Sequence, residues 1–169
     1  MDVIVPYADA IRYETKAALS CAGIRWFGID VGYSDFAYGK FMDAQWRLCP
    51  WINVEQDIIP TDLALHSLVG CDQPWCAIPY KYLGRTHVGT GCMKFGAPLL
   101  REAPMAVDEA MNIDYHDPNH PPGHWCRLDN SLCRRILPNY DFRVHVHDQF
   151  LLEHAGHNGK VSSHGCVQS

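Results

Sequence analysis

Hydrophobic and polar positions follow two alternating periods through the first seventy residues. Asp2 to Tyr7 is a short apolar strand closed by Pro6, and Ile11, Thr15, Ala18, Leu19 and Ala22 then recur at helical spacing until Gly23. Ile24 to Val31 reads as a second strand with Asp30 near its end. Ser34 and Asp35 can cap a second helix, whose stripe of Ala37, Phe41, Ala44 and Leu48 is stopped by Pro50. Trp51, Ile52 and Val54 are strand formers, and the strand they predict delivers Glu55 and Asp57 to its exit, on one side by period-two alternation. Thr61 then caps a helix over Asp62 to Val69, with Gly70 as the stop. Strands alternating with helices in this way predict an α/β fold with a mostly parallel sheet and right-handed crossovers.

Beyond Gly70 the rhythm changes. Pro74 to Tyr82 is extended and aromatic, and Arg85 to Phe95 is rich in glycine and threonine, which predicts mixed strands and binding loops. Pro98 to Glu102 reads as a helical turn, and residues 114–124, dense in proline and histidine, as a loop or lid. Trp125 to Leu137 is the clearest helix of this half, with Asp129 on the same face as Trp125, Leu132 and Cys133. Phe142 to Asp148 alternates as a strand and places His145 and His147 on one face. The pattern divides into one compact domain over 1–150, with halves 1–70 and 71–150, and a polar tail over 151–169 that is expected to be mobile.

Composition narrows the picture. With 47% hydrophobic and 20% charged residues in 169, the chain can build one proper core. Fourteen basic residues against 19 acidic give a formal charge of −5, so there is no basic footprint for nucleic acid or anionic lipid. No apolar run is long enough to span a bilayer, and the N-terminus opens as a strand without a basic leader, so a cytoplasmic protein is expected. The 8 cysteines form no Cys-x-x-Cys pair and are read mostly as small core hydrophobes, although Cys71 and Cys76 could pair in an oxidising setting.

Four features carry candidate chemistry. Glu55 and Asp57 could share a hard divalent cation, though acids at strand ends are commonly solvated loop residues. Asp129 on an apolar face requires either a partner, such as a loop arginine or a backbone N–H, or a catalytic task. His145 and His147 could ligate a metal as neutral imidazoles or form a hydrogen-bonded half-buried pair. In the loop, His116, His120 and His124 offer a further metal set or an ordinary histidine-rich surface.

In order and spacing these elements resemble a small GT-A-fold glycosyltransferase of the bacterial and phage type. The resemblance runs over residues 2 to 148, through Val3-Ile-Val-Pro6-Tyr7, Asp30, Glu55-Gln56-Asp57, Gly91-Cys-Met-Lys-Phe95, Trp125-x-x-x-Asp129 and Val144-His145-Val-His147. It implies a Rossmann-type αβα sandwich whose first half binds the nucleotide and whose second half meets the acceptor. It further implies that Pro6, Tyr7 and Asp30 line the nucleotide pocket and that Glu55-Gln56-Asp57 is the family's DxD element. Glu55 would then lie near the ribose, Asp57 and one of His145 and His147 would ligate Mn²⁺ or Mg²⁺, and His154 is a further histidine to consider. Gly91 would belong to the loop that approaches donor sugar and acceptor, and Asp129 would activate the acceptor hydroxyl. The partners implied are a UDP- or GDP-type sugar and an acceptor of unknown kind; the oligomeric state is open, and a homo-oligomer is compatible. A metallohydrolase built on His145 and His147, and a non-catalytic nucleotide- or sugar-binding module, are the alternatives.

Overall fold

A computed structural model describes residues 1–82, 84–113 and 121–154. The first half runs β1 (Asp2–Tyr7), α1 (Tyr13–Cys21), β2 (Trp26–Asp30), α2 (Ala37–Trp46), β3 (Trp51–Val54), β4 (Ile58–Ile59) and α3 (Asp62–Gly70). The second runs β5 (Trp75–Ala77), β6 (Tyr80–Tyr82), β7 (Arg85–His87), β8 (Cys92–Phe95), α4 (Ala97–Glu102), α5 (Ala106–Asn112) and α6 (Trp125–Ser131). A π-helical turn over Leu132–Ile136 leads from α6 into α7 (Leu137–Asn139), and β9 (His145–Val146) and β10 (Leu152–His154) follow.

Six strands form the main sheet in the order β2-β1-β3-β8-β5-β9. β2, β1 and β3 are parallel, β8 lies antiparallel between β3 and β5, and β9 joins β5 in parallel at the edge. This is the mostly parallel sheet with mixed strands in the second half that the sequence predicts. Alternation in the strands divides the core. Val3, Val5, Ile52 and Val54 pack under Leu19 of α1 and Leu65 and Leu68 of α3. Ile4 and Trp51 face Met42 and Trp46 of α2 together with the later helices. Burial of β3 on both faces follows from that sandwich and explains the apolar Trp51, Ile52 and Val54, while Nδ2 of the buried Asn53 between them is satisfied by hydrogen bonds. Trp51 and Phe95 stack with centroids 4.6 Å apart, and Trp46 anchors its ring by donating from Nε1 to the Ala103 carbonyl at 2.8 Å.

A second, four-stranded sheet in the order β4-β10-β6-β7 stands beside the end of β3. β10 pairs antiparallel with β4 and parallel with β6, so the ordered strands extend to His154 and beyond the boundary expected at residue 150. Thr61 caps α3 as the sequence predicts, accepting from the Ala64 N–H at 3.2 Å. The helix α5 is not signalled by the periodicity, because its buried side is made of Ala106, Val107 and Ala110, a stripe too small to stand out. Among the described residues no helix is long and apolar enough to cross a membrane.

Candidate functional site

The last residue of β3 is Val54, and the chain then turns sharply instead of continuing the strand. Glu55 donates its N–H to the Gly91 carbonyl at 2.9 Å, and Ile58 returns an N–H to the Glu55 carbonyl at 3.1 Å. Gln56 fastens the turn to the end of β1: its Oε1 accepts from the Ala8 N–H at 2.7 Å and its carbonyl from the Arg12 N–H at 3.0 Å. Glu55 and Asp57 are therefore brought together by a turn, not by the strand alternation the sequence suggests.

Thr90 links the acids. Its hydroxyl donates to Glu55 Oε1 at 3.0 Å, and its backbone N–H donates to Asp129 Oδ1 at 3.0 Å. Its carbonyl is held by Asn53 Nδ2 at 2.6 Å, and the same amide donates to the Tyr38 hydroxyl at 3.1 Å, which lies 3.5 Å from Glu55 Oε1. Glycines on either side of Thr90 permit this closeness. A Cβ on Gly89 would sit 2.3 Å from Asp129 Oδ2, and one on Gly91 would meet the Tyr80 ring at 2.8 Å.

Enclosure raises the pKa of these groups. Burial, then the charges of Asp57 and Asp129, push the Glu55 carboxyl up to about 8. Burial also raises Asp129, opposed by the Thr90 N–H, the Cys133 thiol and the nearby Arg134 and His87 side chains. The Tyr38 and Tyr80 phenols are raised as well, by burial first and by Glu55 next. A carboxyl that keeps its proton at neutral pH, as Glu55 does among neighbouring acids that repel its charge, forms a place where a cation, or a proton-transfer task, is chemically useful.

Asp57 has a different neighbour, with His154 Nε2 3.4 Å from its Oδ2. The small sheet supplies the wall behind this pair. Tyr80 stacks on His87 with centroids 6.1 Å apart, and Tyr82 lies 4.7 Å from the His154 ring.

The remaining sequence-predicted residues fall in two places. Pro6 and Tyr7 end β1 and Asp30 ends β2, so they share the carboxyl edge of the parallel strands with Glu55. Pro6 is buried, Tyr7 half-buried and Asp30 exposed, its Oδ1 accepting from the Gly32 N–H at 2.8 Å. His145 and His147 do not join Asp57. β9 is hydrogen-bonded to the outer edge of β5, where the two histidines gather with Cys71, and the chain comes back to the acids only through β10. The histidine beside Asp57 is His154. Residues 114–120, with His116 and His120, lie outside the described residues, while His124 is buried with Nε2 4.0 Å from Asp35 Oδ1. The sequence pattern does not single out Thr90, Tyr38 or Asn53, and the glycines of Gly89-Thr90-Gly91 are the one local signal that points to Thr90.

The fold that carries these residues is a glycosyltransferase-like, Rossmann-type αβα arrangement. No protein-family model matches the sequence, and no curated protein does. Solved structures do share the fold. A glycosyltransferase involved in the glycosylation of the major capsid of PBCV-1 superposes with a TM-score of 0.57 at 10% identity, over 87% of this chain and 81% of that one. A197 from STIV superposes with a TM-score of 0.54 at 8% identity, over 89% and 82% respectively.

Proposed function

We propose that the chain is a glycosyltransferase that moves a sugar from a nucleoside diphosphate sugar to an acceptor hydroxyl. The observation that carries this reading is the convergence of Glu55, Asp57, Asp129 and His154 beyond the end of β3, on a fold shared with a viral glycosyltransferase. In open α/β sheets ligands bind beyond the carboxyl ends of the strands, and these residues lie there.

Asp57 and His154 fit as protein ligands for Mn²⁺ or Mg²⁺. Their donor atoms, 3.4 Å apart, are close to the spacing of about 3 Å between neighbouring ligands of a six-coordinate shell. Such an ion supplies positive charge that offsets the charge of the departing diphosphate. Pro6, Tyr7 and Asp30 form the nucleotide side of the cleft, with Asp30 accepting from the base and Glu55 near the ribose. Asp129 takes the acceptor proton: Oδ1 is fixed by Thr90, so the carboxylate is oriented before substrate arrives. Burial raises its basicity, which favours proton uptake in the transition state. Gly91 lies so close to the Tyr80 ring that a Cβ there would meet it at 2.8 Å, and it belongs to the loop that approaches donor sugar and acceptor. Tyr82, half-buried beside the His154 ring, offers flat apolar surface for a sugar ring.

Calorimetric titration of UDP, GDP and deoxythymidine diphosphate with Mn²⁺, repeated in excess chelator, tests this reading. Binding of one nucleotide that needs the ion and is lost in Asp57→Ala supports it. Absence of binding to all three overturns it.

A further inference from the structure

The histidines that do not reach Asp57 belong to a second constellation, on the other side of the molecule's strand order. Where α3 ends, the Cys71 sulfur and one ring nitrogen each of His145 and His147 lie within 4.8 Å of one another. Cys76 Sγ is 2.8 Å from Cys71 Sγ. The topology explains the gathering. β5 and β9 pair with Cys76 opposite His145, the two-residue period returns His147 to the same face, and α3 packs over that face.

His147 carries the most pointed observation. Only 7% of it is exposed, Nδ1 is 2.7 Å from Ser67 Oγ, and the buried Nε2 has no hydrogen-bond partner. In the tautomer whose Nδ1–H donates to the serine, a bare lone pair is left on Nε2 inside the protein. An unpartnered buried nitrogen is costly. An imidazole oriented through one nitrogen, with the other presented to a cluster of donors, is the arrangement of a metal ligand with its supporting partner.

We propose that Cys71, His145 and His147, with Cys76 as the fourth donor, bind a zinc ion. Thiolate and imidazole donors select zinc over Mn²⁺ and Mg²⁺, so this centre is chemically separate from the oxygen-bearing pair at Asp57. A tetrahedral shell sets its donors about 3.3–3.8 Å apart, which Cys71, His145 and His147 reach by side-chain adjustments of about 1 Å, and Cys76, already against the Cys71 sulfur, by a rotation of its side chain. Four protein donors close the shell, and a closed shell is structural. Its consequence is mechanical. β9 is a two-residue edge strand, and the chain leaving it becomes β10, which carries His154 to Asp57. Zinc would hold that path from outside the proposed active site, and the inference stands whether or not the transferase reading does.

The test uses the full chain without an affinity tag, purified with a reductant. Metal content after dialysis is measured by mass spectrometry, and Co²⁺ is substituted for optical spectroscopy. Stoichiometric zinc, and a cobalt spectrum with intense tetrahedral visible bands and a sulfur charge-transfer band, are expected. Cys71→Ser and His147→Ala should each lose the zinc, and Asp57→Ala should keep it. Should His147→Ala fail to fold, His145→Ala, at an exposed position, is expected to weaken zinc binding about tenfold or more while leaving the fold intact. No zinc in the reduced wild-type chain, zinc unchanged in both Cys71→Ser and His145→Ala, or a Cys71–Cys76 disulfide in place of the ion would each overturn the proposal.

Discussion

Glu55 gives the most quantitative handle on the site. Its carboxyl moves from an ordinary 4.5 to about 8, chiefly because burial disfavours its charge and next because Asp57 and Asp129 repel it. The folded, metal-free chain therefore keeps a proton that the unfolded chain releases. The stability this contributes is fully present below pH 4.5 and is lost as pH rises towards 8. At ~1.4 kcal/mol for each tenfold change in acidity, the full displacement corresponds to about 5 kcal/mol, and local relaxation and water entry reduce it to an expected 2–5 kcal/mol, again about. For a chain of this size that is roughly 5–15 °C in the unfolding midpoint.

Glu55→Gln isolates the effect, because the amide keeps an oxygen that can accept from Thr90 and does not titrate. Thermal and urea unfolding of both proteins in chelator, from pH 5 to pH 8.5, should show the wild type losing stability relative to Glu55→Gln as pH rises. Asp129, also raised, adds a contribution of the same sign, and His147, lowered mainly by burial, adds one of opposite sign that is lost as pH falls. Taking the difference between the two proteins removes most of both. Parallel stability curves across the whole range would show that Glu55 is charged in the folded chain, and the account of its enclosure would be refuted.

Three further outcomes test the geometry. Gly89→Ala places a Cβ 2.3 Å from Asp129 Oδ2 and should displace that carboxylate, lowering transfer on the order of a hundredfold with nucleotide binding retained; equal turnover would show that Asp129 need not be held where it is. Asp129→Asn should likewise leave nucleotide affinity nearly unchanged and reduce transfer on the order of a hundredfold or more, and full activity would remove it from the role of base. His154→Ala should weaken Mn²⁺-dependent nucleotide binding about tenfold to a hundredfold in calorimetry, and by more than His145→Ala does; the reverse ranking would return the late histidine to β9.

How far the site could be read from residues alone depended on whether local chemistry or topology decided each position. Strand β1, helix α1 and the Thr61 cap follow from local pattern and turn chemistry, and the structure has them where the pattern puts them. Glu55, Asp57 and Asp129 were recognisable because acids at the end of an apolar run or on an apolar face are locally incongruous. The histidines were not assignable in the same way. His145, His147 and His154 all follow the last helix in one short stretch of chain, and nothing local says which strand pairs with β5 and which with β4. Thr90 was hidden for a related reason: threonine between glycines looks like any loop, and only the pairing of β8 with β3 gives it two acids to hold.

That pairing also accounts for why the three acids meet at all. β1, β2 and β3 run in one direction and release Tyr7, Asp30 and Glu55 at a common edge. β8 runs the other way, so the same edge receives the residues that precede it, and the register of Val54 with Cys92 sets the Gly91 carbonyl on the Glu55 N–H. Thr90 is then within reach of the Glu55 carboxyl by its side chain and of the Asp129 carboxyl, on α6, by its backbone. A fully parallel sheet would have placed the Gly89-Thr90-Gly91 segment at the opposite edge and left Glu55 and Asp129 without a shared donor. The single reversed strand therefore couples the two carboxyls: neutralising Glu55, by a proton or by a neighbouring cation, lowers the cost of charge on Asp129.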